Sequence, residues 1–398
     1  MSASDSVIES VKKWGAHNYD RIPVVIERGA GVWVWDMEGN KYMDFLSAYS
    51  ALNQGHNHPK IVEALTKQAS ELYLTSCAFY STRLGEFVEY LARLCKKEAV
   101  LPMNTGAEAV ESAIKIARKW GYQEKGIPQG KAEIVVFGNN FHGRTTTIVG
   151  FSSQGQYREG FGPFTPGFKL VEYGDLDAVT SAVTENTVAI LVEPIQGEGG
   201  IIVPPEGYLT ALRGLCTKEN VLFMADEIQT GLGRTGRMFA CDHEGVVPDI
   251  YILGKALGGG AYPVSAVVAN RKIMDVLGPG DHGSTFGGNP LGSAAALAAL
   301  KALKEEGMAR NARAIGDRLK KELASLKSPH IKEIRGKGLM LGIELKEDAG
   351  PARDFCLKLK ENGILCNNTH GNVVRFAPPL ITTHNNIDWA MERIAKVF

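Results

Sequence analysis

The chain reads as an α/β protein built on a large, mainly parallel β-sheet, with a smaller α+β domain assembled from both chain ends. Two observations carry this. Short apolar runs, IVVF (134–137), VAILVE (188–193), VLFMA (221–225) and IYIL (250–253), each end in polar or glycine-rich residues and alternate with helix-like segments. Such alternation indicates strands joined by helical crossovers in a parallel sheet. At 398 residues and 44% hydrophobic composition, the chain is also too long for one simple core.

Taken in order, GVWVWDMEGNKYMDF (31–45) reads as a hairpin turning at Glu38-Gly39-Asn40. The four apolar runs follow. Two amphipathic stretches come last, near 291–306 and 308–326, the first with Asn289 as N-cap and Pro290 at the first helical position. Residues 1–45 are therefore expected to form the N-terminal segment of the small domain, 46–290 the large domain and 291–398 the C-terminal part of the small domain. No repeat, low-complexity tract or linker marks a cleaner boundary.

Bulk properties narrow the function. Lys plus Arg and Asp plus Glu both number 44, so no basic surplus exists to hold a nucleic-acid backbone. No run approaches the roughly 18 apolar residues of a membrane span. The six cysteines are scattered, with no C-x-x-C pair and no histidines at metal spacing, which points to a reducing compartment and no metal site. The first fifteen residues resemble neither a secretory signal nor an Arg-rich transit peptide. A cytoplasmic location is expected, or the mitochondrial matrix if a presequence was removed.

Ligands of open α/β sheets bind beyond the carboxyl ends of the strands. The residues following the runs form a coherent set: Asp226 after VLFMA, Lys255 after IYIL and one glycine, Glu193 after VAILV, and Phe141, His142 and Arg144 after IVVF. A lone strand-end lysine is ordinarily a surface charge, but LGKALGGG (253–260) surrounds Lys255 with glycines that let a ligand approach the backbone. To act as a nucleophile it must be neutral, which from a pKa of about 10.4 costs roughly 4–5 kcal/mol at pH 7 unless burial lowers it. NTGAEA (104–109) opens a helix with apolar face Val110, Ala113, Ile114 and Ala117. The N–H groups of Thr105, Gly106 and Ala107 would suit a phosphate. GLGRTG (231–236) matches a dinucleotide-binding pattern, yet DEIQT separates it from the strand and no helical periodicity follows.

These motifs together, ADEIQTGLGRTG, LGKALGGG, EPIQGEGG (193–200), NTGAEA and HGSTFGGNP (282–290), resemble the class-III aminotransferases of PLP fold type I over nearly the whole chain. GAHNYDRIPV (15–24), LSAYSALNQGH (46–56), GFGPFTPGF (160–168) and RFAPPL (375–380) are similar to the members that use ornithine. The resemblance implies pyridoxal 5′-phosphate bound to the 46–290 domain, Lys255 as the Schiff-base lysine and Asp226 as partner of the pyridine nitrogen. Gln229 would lie near the phenolic oxygen, Phe141 and Ile228 would sandwich the ring, and Thr105, Gly106, Ala107, Glu193 and Ser284 would complete the cofactor set. Thr285 would reach the phosphate held by the neighbouring subunit of a homodimer. For substrates, Tyr19, Tyr49 and Arg144 look like an ornithine pocket, and Arg375 with Glu198 like the pair managing the 2-oxoglutarate carboxylate. The implied reaction moves the δ-amino group of L-ornithine to 2-oxoglutarate, giving glutamate 5-semialdehyde and glutamate. Only the substrate residues, Tyr19 foremost, separate this from a preference for acetylornithine or 4-aminobutyrate. His142 adds little discrimination.

Overall fold

The structure, a computed structural model, describes residues 3–398. Its centre is a seven-stranded sheet in the order β4-β10-β9-β8-β7-β5-β6. The strands are β4 (Ala99–Met103), β5 (Glu133–Phe137), β6 (Phe168–Val171), β7 (Thr187–Val192), β8 (Leu222–Asp226), β9 (Ile250–Leu253) and β10 (Ser265–Ala269). Pairing is parallel from β6 through β9, while β10 runs antiparallel to both β9 and β4. The four apolar runs became β5, β7, β8 and β9, and β4, β6 and β10 complete the sheet.

Period-two geometry sends neighbouring side chains of one strand to opposite faces, and each face has its own core. Ile134, Val136, Leu191 and Met224 pack with the buried stripe Ala109, Val110, Ala113, Ile114 and Ala117 of the helix Gly106–Gln123. Val135, Ile190, Val192 and Phe223 pack on the other side with Leu209 and Leu212 of the helix Tyr208–Lys218. Helices on both faces leave the strand ends as the place where polar groups can gather.

Two four-stranded sheets flank this centre. One joins β1 (Ile26–Ala30), β2 (Trp33–Asp36) and β3 (Lys41–Asp44) to β13 (Ile364–Leu365), which pairs parallel with β3. The other orders β11 (Ile331–Lys337), β12 (Met340–Leu345), β15 (Val373–Phe376) and β14 (Asn367–Thr369). The β2–β3 hairpin turns where expected, with Asp36 accepting from the backbone N–H of Glu38 and Asn40. Asn289 caps the helix Pro290–Glu305 by accepting from Gly292 N at 2.8 Å, and the helix Met308–Ser325 follows. An amphipathic helix at Ala3–Trp14, which the sequence reading left unassigned, buries none of its residues. Among the described residues no helix is long and apolar enough to cross a membrane.

Candidate active site

Parallel strands deliver their carboxyl ends to one edge, so Glu193, Asp226 and Lys255 arrive there from β7, β8 and β9. Asp226 is buried, its Oδ1 accepting from Ile228 N and its Oδ2 lying 2.6 Å from His142 Nδ1. Burial alone would lower the His142 pKa, but the hydrogen bond and charge of Asp226 outweigh it and raise the value. Its Nε2 has no partner among the described residues. Glu193 accepts from Phe141 N at 2.8 Å and Gly197 N at 3.2 Å. Burial pushes its pKa up to about 7, opposed by His142 and reinforced by Asp226.

Lys255 follows β9 in a left-handed conformation, φ 45°, and lies half-buried in a cavity of about 320 Å³ shared with Thr105 and Gly106. Burial lowers its pKa; the charge of Glu198 raises it, Arg375 lowers it further, and Asp226 and Glu193 raise it. That balance makes the neutral amine more accessible than in water. Beside it begins the helix Gly106–Gln123, capped by a reciprocal box in which Thr105 Oγ1 accepts from Glu108 N and Glu108 accepts from Thr105 N. The box uses the N–H of Thr105 and Glu108 and leaves those of Gly106 and Ala107 for an anion. A Cβ on Gly106 would sit 3.0 Å from Ile228 Cδ1, so the glycine permits the close approach of that side chain.

The third component comes from β15. Arg375 is 1% exposed and forms an ion pair with Glu198, yet its Nε and Nη2 are buried without partners. Glu198 Oε1 also accepts from Gln229 Nε2 at 3.3 Å, and Gln229 Oε1 is itself unpartnered. Burial would raise the Glu198 pKa, but the charges of Arg375 and Lys255 hold it below the ordinary value. The Arg375 guanidinium lies 4.8 Å from the ring centre of Tyr49, which sits in a left-handed turn, Ser47–Ser50, with all four residues at positive φ. Asp44 Oδ1 accepts from Leu46 N and Ser47 N and so anchors that turn.

The remaining expected residues lie further out. Tyr19, 66% exposed, shares a cavity of about 510 Å³ with Tyr49. Arg144 is exposed and rests on the rings of Tyr157 and Phe141. Ser284 Oγ accepts from Asn104 Nδ2 at 2.9 Å, beside the Thr105 cap, whereas Thr285 is exposed and does not meet Lys255 within the chain. His142, expected in the strand-end set beside Phe141, meets Asp226 there. The sequence reading missed Tyr157 and Asn367, whose Nδ2 is 3.4 Å from the Tyr49 hydroxyl; nothing local in the sequence marks either.

Fold and site together define a transaminase-type enzyme: a lysine of lowered pKa, a buried carboxylate and an anion-binding helix start meet at the carboxyl edge of a parallel sheet. The family model "Aminotransferase class-III" matches residues 14–398, and the chain belongs to that family. It is 55% identical over 397 residues to the ornithine aminotransferase of Brevibacillus brevis, covering 100% of this chain and 99% of that one. The structure of ornithine aminotransferase from Toxoplasma gondii, with partial occupancy of PLP at its active site, superposes with a TM-score of 0.98 at 47% identity, covering 100% and 94% of the two chains. Acetylornithine aminotransferase from Elizabethkingia anophelis gives a TM-score of 0.91 at 50% identity, covering 100% and 99%.

Proposed function

We propose that this aminotransferase uses pyridoxal 5′-phosphate to move the δ-amino group of L-ornithine to 2-oxoglutarate, yielding glutamate 5-semialdehyde and glutamate. One observation carries the substrate assignment. Arg375 is buried with one edge on Glu198 and, among the described residues, two nitrogens unused, which is a carboxylate site held closed by an internal carboxylate. The residues fit the cofactor: Asp226 would hold the proton of the pyridine nitrogen, Phe141 and Ile228 would flank the ring, and Gln229 would meet the phenolic oxygen. Thr105, Gly106, Ala107 and Ser284 would take the phosphate, with Glu193 bracing the Phe141 loop. When bound, the cofactor supplies an electron sink for negative charge at the carbon bearing the reacting amine.

The chain's own groups do the rest. Lys255 Nζ, whose pKa burial lowers, takes the proton from the carbon bearing the reacting amine and would deliver it to the cofactor carbon that takes over the amino group, with the reverse transfer serving the oxo-acid half-reaction. Ornithine reacts at a carbon without a carboxylate, so an open arginine beside that carbon would favour backwards binding through its α-amine. Glu198 masks Arg375 until a dicarboxylate displaces it, while Arg144 and Tyr19 hold the distant α-carboxylate and α-amine. We assign residues 1–45 and 291–398 to a small domain and 46–290 to the cofactor domain.

The same reading includes a homodimer. Cys77 Sγ donates to Ser284 O and Gly287 O, which sets the exposed Phe79 and Tyr80 beside the exposed Thr285 and Phe286. Exposed aromatic side chains suit a second copy, with Thr285 reaching the phosphate there. A cytoplasmic setting agrees with six unpaired thiols. Turnover of ornithine, N-acetylornithine and 4-aminobutyrate with 2-oxoglutarate, with detection of the semialdehyde, tests the assignment. Ornithine should give the highest kcat/KM; a preference for N-acetylornithine would overturn the substrate assignment and leave the family intact.

A further inference from the structure

Arg144 is the only basic residue assigned to the distal end of the donor. Among the described residues its guanidinium has no hydrogen bond and no carboxylate partner. It is fixed instead by aromatic rings: its Cζ lies 3.6 Å from the ring centre of Tyr157 and 5.4 Å from that of Phe141. Those two rings meet edge to face at 6.3 Å between centres and interplanar 82°, forming a corner around the cation. The backbone supports the placement. Gly143 has φ +129°, and a Cβ there would sit 2.9 Å from Ala107 Cβ, so the loop carrying Arg144 is pressed against the first turn of the phosphate-binding helix.

A guanidinium stacked on a ring has its face covered and its edge free, and the edge is what grips a carboxylate through two parallel N–H bonds. The two rings that hold Arg144, those of Phe141 and Tyr157, line with Glu198 a single cavity of about 340 Å³. The Tyr157 hydroxyl makes no hydrogen bond among the described residues, which leaves the ring as its contribution.

We propose that Tyr157 is a specificity-determining positioning residue: its ring presents the edge of Arg144 to the carboxylate at the far end of the amino donor. It selects donors that end in a carboxylate over plain diamines. This rests on the donor pocket assigned above, and the controls separate the two. The holoenzyme and its Tyr157→Leu and Tyr157→Phe variants are compared by the KM and kcat for L-ornithine and by the inhibition constant of 1,4-diaminobutane, which keeps both amines and lacks the carboxylate. Thermal melts verify folding. Loss of a stacked cation should raise the ornithine KM of Tyr157→Leu about tenfold with kcat within about twofold, while the diamine constant stays unchanged. Tyr157→Phe should behave as the wild type. An unchanged ornithine KM in Tyr157→Leu, a diamine constant that worsens in parallel, or a Tyr157→Phe variant as impaired as Tyr157→Leu would each overturn the proposal. Failure of the wild type to use ornithine would instead overturn the donor pocket.

Discussion

Two arginines are among the largest fully buried side chains, and their surroundings differ in a way that separates scaffold from site. Arg234, in the turn after β8, forms no ion pair among the described residues: it donates to Asn53 Oδ1, Leu339 O and Pro378 O, and none of its nitrogens is left over. Burial lowers its pKa to about 9 against the opposing charge of Asp44. Arg375 faces a carboxylate, yet has two nitrogens unpaired. A buried donor without an acceptor costs about 1–3 kcal/mol, so folding alone would not favour that arrangement. Full satisfaction marks a clamp joining three chain segments; incomplete satisfaction marks a place kept for a ligand.

The largest effect expected from this contrast is on stability. Arg234→Met orphans three acceptors and should lower the free energy of unfolding by about 4 kcal/mol in urea titration. Arg375→Leu removes two unpaired donors but leaves Glu198 without its ion-pair partner, so it should cost less, about 2 kcal/mol, while kcat/KM for 2-oxoglutarate falls about 100-fold. If the two variants exchanged these phenotypes, the distinction between clamp and site would be wrong. Next in size, Glu198→Ala should preserve or improve the glutamate half-reaction and lower the ratio of δ- to α-transfer from ornithine about tenfold, a shift of about 1.4 kcal/mol. Product analysis from single turnovers reads it, and an unchanged ratio would dispose of the masking role.

A smaller effect follows from Glu193, whose acid form is favoured in the folded protein, with a pKa of about 7 against an ordinary 4.5. Across that window the folded chain holds a proton that the unfolded chain has released, so stability falls as pH rises from about 4.5 to 7. His142, also raised, adds to the loss as pH climbs through its folded value. In cofactor-free protein, Glu193→Gln should flatten the decline of the melting temperature over that range. A decline as steep as in the wild type would assign it to other groups.

The parts of the molecule open to a sequence reading are those where one local constraint dominates. Strands β5, β7, β8 and β9 are buried on both faces apart from the first residue of β5, and therefore appear as uninterrupted apolar runs. Asp226, Lys255 and Glu193 follow from them because a parallel sheet fixes where strand ends go. Strand β13, two residues long, and β1, largely exposed, carry no such pattern and exist through pairing with distant segments. Arg144 and Tyr19 were legible as residue types through family resemblance, but their settings were not: the Tyr157 stack is a contact between loops. The Arg375–Glu198 pair spans 177 positions of chain, beyond the reach of any local rule.

The left-handed turn at Ser47–Ser50 has a consequence for laboratory evolution. Each such residue with a side chain costs roughly 1–2 kcal/mol relative to a right-handed one, and none of the four is glycine. Ala48→Gly would relieve part of that strain and, after the added freedom of the unfolded chain, gain up to about 1 kcal/mol. A screen for heat resistance should therefore find position 48 readily. The same relaxation would let the Tyr49 ring drift from Arg375, so heat-resistant clones carrying glycine there should bind 2-oxoglutarate less tightly if Arg375 takes its carboxylate as proposed. Selection that retained side chains throughout this turn would have kept the ring on Arg375 at the expense of robustness.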